Sequence, residues 1–221
     1  MAAALLLALA AAAAPAAAGQ PPVVEQVVAV VRNPAGSPPR AVTLTKLTEE
    51  ARIALVGRGA IEAAFRPLDL AALRAGLEWL VSQMLVADEA ARLRVDDVDR
   101  DEVRAAVRQF QARFPDAAAY RRFLEASDLP EEELAATLAR TLRVNHYLAT
   151  RVGRAAHVSD QEVERYIRDQ GREATPAVRE AVRSYLDEQK RQARVTELVA
   201  ELRGRAEVRV LAPLAQGGDG A

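Results

Sequence analysis

The chain contains no cysteine among its 221 residues. This absence excludes disulfide bonds, cysteine-ligated metal sites, a cysteine nucleophile and a lipid-modified cysteine. Packing, hydrogen bonds and ion pairs must therefore hold the fold together without covalent cross-links.

An excess of charge of one sign is also lacking. The 30 basic and 31 acidic residues leave a formal net charge of -1, which provides no global field for holding nucleic acid or an anionic membrane. Lysine occurs only at Lys46 and Lys190, and the many arginines alternate with Asp and Glu along the chain. We interpret this alternation as solvated helix faces and expect no nucleic-acid partner.

Residues 1–18 contain no charged side chain. They include Leu5, Leu6, Leu7 and Leu9 and end in Pro15-Ala16-Ala17-Ala18 before Gly19. An apolar core followed by small residues is typical of a secretory signal peptide, although no Lys or Arg precedes it here. We expect residues 1–18 to be cleaved, and the mature chain to be periplasmic or secreted without stable membrane insertion. The alternative is an uncleaved anchor, which is disfavoured because a spanning helix needs about twenty strongly apolar residues.

Residues 23–45 have the pattern of a β-hairpin. A run of β-branched residues from Val23 to Val31 is followed by a Pro/Gly loop and by the segment Ala41 to Thr45. Such runs, separated by turn residues, predict two paired strands. We expect Thr45 or Thr48 to cap the helix that follows.

Between residues 46 and 168 the apolar residues recur with a period near 3.6, which predicts helices. The helix over about 69–94 is the candidate central helix, because it is apolar on more than one side. Asp99 with Glu102, and Ser159 with Glu162, have the spacing of capping boxes. We therefore expect further helices to begin at these two places.

The C-terminal part is expected to close the domain. Gly171 and Pro176 mark a linker over residues 169–176, and a closing helix and strand follow over residues 177–211. The segment 207–211 alternates like a half-exposed strand, and it is expected to join the hairpin because two strands alone are marginal. The predicted fold class is mainly α: a single helical domain over residues 19–211 with a small antiparallel sheet formed by the N-terminal hairpin and the C-terminal strand. Residues 212–221 are expected to form a disordered tail.

Several segments together resemble the SurA family of periplasmic chaperones. They are the hairpin of residues 23–45, the helix end Leu85-Val86-Ala87-Asp88-Glu89-Ala90, the cap Val158-Ser159-Asp160-Gln161-Glu162-Val163, and the closing helix and strand of residues 185–211. Each pattern is common by itself, and their order along the chain carries the resemblance. The resemblance implies an ATP-independent chaperone that binds unfolded or extended segments of envelope and outer-membrane proteins.

Many relatives in that family carry a parvulin-type peptidyl-prolyl isomerase domain after the Ser-Asp-x-Glu-Val segment. Here only residues 169–176 separate that segment's helix from the closing helix, whereas a folded domain needs about fifty residues or more. We therefore expect the isomerase domain to be absent and the protein not to be an enzyme.

The sequence shows no other catalytic or metal-binding pattern. His146 and His157 are too far apart to share a metal by local spacing, and the acidic clusters fall at predicted helix starts, where they complement the helix dipole. No Gly-rich phosphate loop follows a strand, and no Gly-x-Ser-x-Gly elbow occurs. We expect no catalytic residue, no metal and no cofactor.

A chaperone of this kind needs apolar surface that accepts many sequences. Methionine, the usual adaptable residue at such surfaces, is limited to Met84 after the leader, and aromatic residues make up 4% of the chain. The candidates for lining a peptide-binding groove are the aromatic residues Phe65, Trp79, Tyr120, Phe123 and Tyr147. The competing interpretation is that the helical core consumes all of them.

Two functions from other classes are kept as alternatives. The first is a dedicated protein–protein interaction or dimerisation subunit of the cell envelope, without general chaperone activity. The second is prolyl isomerisation, which the family name implies but the missing domain opposes.

Overall fold

The computed structural model describes residues 25–33, 38–94, 97–153 and 158–215. These residues form eight α-helices and one three-stranded antiparallel sheet, which confirms the predicted mainly α fold class with a small sheet. The predicted signal peptide and His157 lie outside the described residues, as do residues 34–37 of the hairpin loop.

The elements follow one another as β1 Val27–Arg32, β2 Arg40–Thr43, α1 Leu44–Gly57, α2 Ile61–Ala64, α3 Leu70–Arg92, α4 Arg100–Gln111, α5 Ala117–Ala126, α6 Glu131–Gly153, α7 Asp160–Asp169, α8 Pro176–Arg205 and β3 Glu207–Val210.

The sheet joins the two ends of the described chain. Its order is β2-β1-β3, and β1 is antiparallel to both neighbours. Val31 of β1 pairs with Val208 of β3, and Ala29 pairs with Val210. The pairing of the C-terminal strand with the N-terminal hairpin is therefore confirmed, and it places β1 at the centre of the sheet.

Helix α1 begins earlier than the sequence pattern indicated. Its N-cap is Thr43, whose Oγ1 accepts a hydrogen bond from the backbone N–H of Lys46 at 3.2 Å. The prediction that Thr45 or Thr48 is the cap is wrong, because strand β2 leads directly into the helix at Leu44. Thr48 lies within the helix, and its hydroxyl donates to the carbonyl oxygen of Leu44. The sheet and α1 are thus joined without a loop.

The other predicted helix starts agree with the structure. Asp69 caps α3, and the pairs Asp99–Glu102 and Ser159–Glu162 form reciprocal capping boxes at the starts of α4 and α7. These short-range patterns therefore fix where three helices begin.

The main hydrophobic core lies between the sheet and the helices α3, α6 and α8. Helix α3 is its central element and packs against α1, α6 and α8. Its buried side chains are Leu77, Leu80, Val81, Met84, Leu85, Val86 and Ala90. In contrast, Leu70 and Leu93 near its two ends are exposed, so only the middle of the helix is surrounded.

Two smaller cores accompany the main one. The second core is aromatic and joins α1, α2, α4, α5 and the start of α6. The third lies between α7 and the first half of α8, where Val163, Ile167 and Val182 are buried. Helix α8 therefore connects the third core to the main one.

The expectation that the disordered tail begins at residue 212 is wrong for residues 212–215. Leu214 is buried in the main core, and its carbonyl oxygen accepts a hydrogen bond from Nε of Arg74 at 3.2 Å. The glycine-rich composition of the tail predicts disorder, but Leu214 packs between α3 and β3. Residues 216–221 lie outside the described residues.

Among the described residues, α3 alone is long and apolar enough to cross a membrane, judged by length and composition. A core helix meets the same criteria. Its contacts with α1, α6 and α8 are those of a core helix.

Candidate peptide-binding groove

Three of the five predicted groove residues are core residues. The exposed fractions of Tyr120, Phe123 and Tyr147 are 1%, 0% and 2%. Tyr120 and Phe123 belong to the aromatic core, and Tyr147 belongs to the main core. Their prediction as groove residues is therefore wrong, because side chains so deeply buried cannot contact a peptide on the surface.

Phe123 is buried because it lies at the centre of an aromatic cluster. Its ring centroid is 5.3 Å from that of Phe114, 5.8 Å from Phe110 and 5.9 Å from Phe65. Tilted and edge-on ring pairs at these separations are favourable because positive ring edges meet negative faces. This cluster holds α4 and α5 against the end of α2.

Tyr120 is buried at the edge of the same cluster and keeps one polar contact. Its hydroxyl donates to Oε1 of Glu131 at 3.2 Å. Burial, together with the nearby Glu131 carboxylate, raises the pKa of Tyr120 to about 12. The side chain is therefore a satisfied core phenol.

Phe65 is a surface residue, and its side chain remains 42% exposed. Its ring stands almost perpendicular to that of Phe123, with 84° between the ring planes. Together with Arg122, Glu125 and Ala126 it lines a shallow depression beside α5. Phe65 thus combines an anchored ring with an accessible apolar face.

Trp79 lines a groove between α1 and α3. The other lining residues are Ala51, Ala54, Leu55, Arg58, Leu68, Ala72, Ala75 and Gly76. Its volume of about 160 Å³ is close to the ~150 Å³ of an engineered apolar cavity that binds one benzene molecule. The groove therefore has room for one ring-sized or leucine-sized side chain.

The groove exists because α1 and α3 approach each other closely at small residues. A Cβ atom added to Gly76 would lie 3.2 Å from Cβ of Ala51 and 3.6 Å from Cδ1 of Leu47. The first of these distances is tighter than normal van der Waals contact, so glycine sets the helix separation here. The alanines on either side then leave the groove unfilled.

Arg58 is the one charged residue that lines this groove. It is the C-cap of α1, and its backbone N–H donates to the carbonyl oxygens of Ala54 and Leu55. The chain reverses at Gly59, whose φ of 83° is the left-handed conformation that glycine adopts without strain. A cation at this end of a helix is favourable because it complements the helix dipole.

A buried ion-pair network lies next to the groove, and no sequence pattern indicated it. Glu50 is fully buried on α1, with its Oε2 2.5 Å from Nη2 of Arg140 on α6 and its Oε1 3.6 Å from Nζ of Lys46. The Thr137 hydroxyl donates to Oε1 at 3.0 Å. The Arg140 contact is close but poorly aligned for a hydrogen bond, so its attraction is mainly Coulombic. The network links α1, which carries one wall of the groove, to α6.

Lys46 extends this network to the surface. Its ammonium group is 2.9 Å from Oε2 of Glu133. This pairing lowers the pKa of Glu133, whereas burial raises the pKa of the neighbouring Glu49. Two ion pairs therefore hold the first half of α1 against α6: the buried pair of Glu50 with Arg140, and the more exposed pair of Lys46 with Glu133.

Within the described ranges, no group of three or more His, Asp and Glu side chains is arranged to hold a metal ion. His146 lies near a carboxylate, with Nε2 3.6 Å from Oε1 of Glu102 on α4. That contact lies where α6 packs against α4.

A scan against models of known protein families finds no matching family, and a search of curated proteins finds no match. The resemblance to the SurA family therefore enters the functional argument as a proposal.

Proposed function

We propose that this protein is an ATP-independent, SurA-like periplasmic chaperone module that binds unfolded or extended segments of envelope proteins. Outer-membrane proteins in transit are the clients that the resemblance implies. The observation that carries the proposal is the open apolar groove between α1 and α3, with Trp79 in its wall. Phe65 supplies a second accessible apolar surface beside α5.

The groove suits a client of variable sequence. Its walls are mainly alanine methyl groups, leucine side chains and one indole ring, which attract apolar side chains without directional requirements. One small groove gives weak binding, because the apolar area that it buries is limited. An unfolded client offers many such side chains in one chain, and this multiplicity raises the overall affinity.

The proposal does not include an isomerase activity. Its support is the short connection from α7, which ends at Asp169, to α8, which begins at Pro176. A folded domain of about fifty residues or more does not fit into such a connection. A prolyl-peptide isomerisation rate above background would contradict this part of the proposal.

The test is suppression of aggregation of an unfolded outer-membrane protein by the purified protein. We expect light scattering to fall as the chaperone is added in several-fold excess. Ala72→Phe, which fills the groove with a ring, should weaken the suppression. Ala71→Phe is the matched control, because Ala71 is the exposed neighbour on α3 and does not line the groove. No suppression by the wild-type protein would refute the proposal.

A dedicated docking subunit is the second candidate. Tyr185 on α8 is exposed and lies 5.7 Å from Tyr166 on α7, measured between ring centroids. Tyr166 packs against the third core, and neither ring lines the groove. Exposed tyrosines are frequent anchors of protein interfaces. Cross-linking in envelope extracts separates the two functions: one stoichiometric partner supports docking, and many substoichiometric partners support a chaperone.

A further inference from the structure

We propose that the groove between α1 and α3 selects client segments in which an apolar side chain is flanked by acidic side chains, with the Arg58 guanidinium binding a carboxylate. This inference rests on the proposed chaperone function and names the sequence feature that the chaperone prefers.

The charge distribution around the groove is one-sided. Of the nine lining residues, Arg58 is the single charged one, and none of them is Asp or Glu. Arg58 is exposed and forms no ion pair with any residue in the described part of the chain. By contrast, Lys46 on α1 and Arg140 on α6 are both paired with carboxylates.

Three acidic residues, Glu50, Asp69 and Glu78, are next to lining residues in sequence, and all three are already engaged. Glu50 contacts Arg140, and Glu78 pairs with Arg203. Asp69 caps α3, and its Oδ1 accepts a hydrogen bond at 2.7 Å from the backbone N–H of Ala72, a lining residue. Asp69 itself does not line the groove. None of these carboxylates is paired with Arg58, so its guanidinium is available to a carboxylate of the client.

The backbone around Arg58 does not oppose an incoming anion strongly. The last carbonyl groups of α1 are hydrogen-bonded by the turn that follows: Ala54 and Leu55 accept from the N–H of Arg58, and Val56 accepts from that of Gly59. These bonds satisfy three of the last four carbonyl groups of the helix. A carboxylate beside the guanidinium then gains a charge-assisted hydrogen bond, often bidentate for arginine.

Size and charge together define the preferred segment. The groove holds about one ring-sized side chain, and Arg58 lines the same 160 Å³ space as Trp79. A residue next to the inserted one therefore lies within reach of the guanidinium. We assign the carboxylate to acidic side chains, because an unfolded client carries them along its whole length but has only one C-terminal carboxylate.

Trp79 makes the inference directly measurable, because it is the only tryptophan of the chain and it lines the groove. The probes are the N-acetylated, C-amidated peptides Ala-Glu-Phe-Glu-Ala, Ala-Gln-Phe-Gln-Ala and Ala-Lys-Phe-Lys-Ala. Acid on both sides of Phe removes any dependence on the direction in which the peptide lies. Because exposed ion pairs are worth little, we expect the Glu peptide to shift Trp79 fluorescence at about three- to fivefold lower concentration than the Gln peptide. The Lys peptide should bind most weakly, and the differences should shrink at high salt.

The Arg58→Gln variant separates this inference from the proposed function. It should bind the Glu and Gln peptides equally, whereas Arg168→Gln, at an exposed position on α7, should keep the wild-type preference. Equal binding of all three peptides by the wild-type protein would overturn the inference and leave the chaperone function standing. Absence of any Trp79 response to the peptides would also overturn it, and the aggregation assay would then judge the chaperone function separately. A fourth peptide, Ala-Gln-Phe with a free carboxylate, would overturn the assignment to side chains if it bound better than the Glu peptide.

Discussion

Glu50→Gln removes a buried negative charge between α1 and α6 and leaves the size of the side chain nearly unchanged. The Gln amide can still accept the hydrogen bond that the Thr137 hydroxyl donates to Oε1. What disappears is the attraction to Arg140, whose Nη2 lies 2.5 Å from the carboxylate, and to Lys46 at 3.6 Å. The substitution therefore isolates the contribution of the charge.

The structure sets the expected size of the effect. Removal of one partner from a fully buried ion pair costs about 3–5 kcal/mol of unfolding free energy, because the remaining charge is left unpaired. Here the remaining cations are partly solvated: the side chains of Arg140 and Lys46 are 20% and 34% exposed. Lys46 also keeps its ion pair with Glu133. We therefore expect a loss at or slightly below the lower limit, about 2–3 kcal/mol.

Glu49→Gln is the matched control one residue earlier on the same helix. Burial raises the pKa of Glu49, and its closest cation is Lys46 at 3.6 Å. A raised carboxyl pKa means that the folded state does not favour the charged form of Glu49. Removal of this charge should therefore change the unfolding free energy by less than about 0.5 kcal/mol.

Urea unfolding, followed by far-UV circular dichroism, gives the unfolding free energy of both variants. The urea midpoints can be compared directly if the slope m is the same for the variants and the wild-type protein. A loss below about 1 kcal/mol for Glu50→Gln would refute the reasoning, because water would then solvate the freed arginine nearly as well as the carboxylate does. Equal losses for the Glu49 and Glu50 variants would show that burial of the pair has no special role.

Three further predictions follow from the same contacts. Phe123→Ala should lower the unfolding free energy by about 3–4 kcal/mol, because it empties the centre of the aromatic core. Phe65→Ala, at the exposed edge of the same core, should lower it by less than about 1 kcal/mol. Similar losses for the two variants in urea unfolding would contradict this difference. Lys190 and the capping groups of α7 lower the pKa of Glu162 from 4.5 to about 2. The stabilisation of α7 by the Glu162 carboxylate is therefore present above pH 4.5 and is lost as the pH falls towards 2. Amide hydrogen exchange in α7 that stays unchanged across this pH range would contradict the prediction. Burial raises the pKa of Tyr120 from 10.0 to about 12. The contribution of the neutral phenol to the unfolding free energy is therefore complete below pH 10 and declines between pH 10 and pH 12. A spectrophotometric titration in which every tyrosine ionises near pH 10 would disprove this prediction.

Much of the fold follows from patterns that act over a few residues. The capping boxes at Asp99 and Ser159 begin helices where the sequence predicts them, because both partners of such a cap lie within one helical turn. The alternation around Val208 predicts a strand, and its pairing with β1 is confirmed. The cap of α1 was misplaced to Thr45 or Thr48 because three threonines lie close together, and the end of β2 decides among them.

The candidate site was less accessible to sequence analysis. The presence of aromatic side chains identified Trp79 and Phe65 as surface candidates, but the same reasoning included Tyr120, Phe123 and Tyr147, which are buried. Phe65 and Phe123 are the same residue type, and their rings touch each other. Only the packing of α5 against α4 determines which of the two is covered.

By itself the sequence determined the helical class, the capped starts of α4 and α7, the hairpin and the strand that returns to it, because period, cap spacing and β-branched runs are local properties of the chain. Tertiary structure alone decided that Gly76 and Ala51 bring α1 and α3 together, that Glu50 faces Arg140 from α1 to α6, and that Leu214 anchors the tail. The physical reason is that burial and charge pairing depend on which distant faces meet, and no spacing within one helix records that meeting.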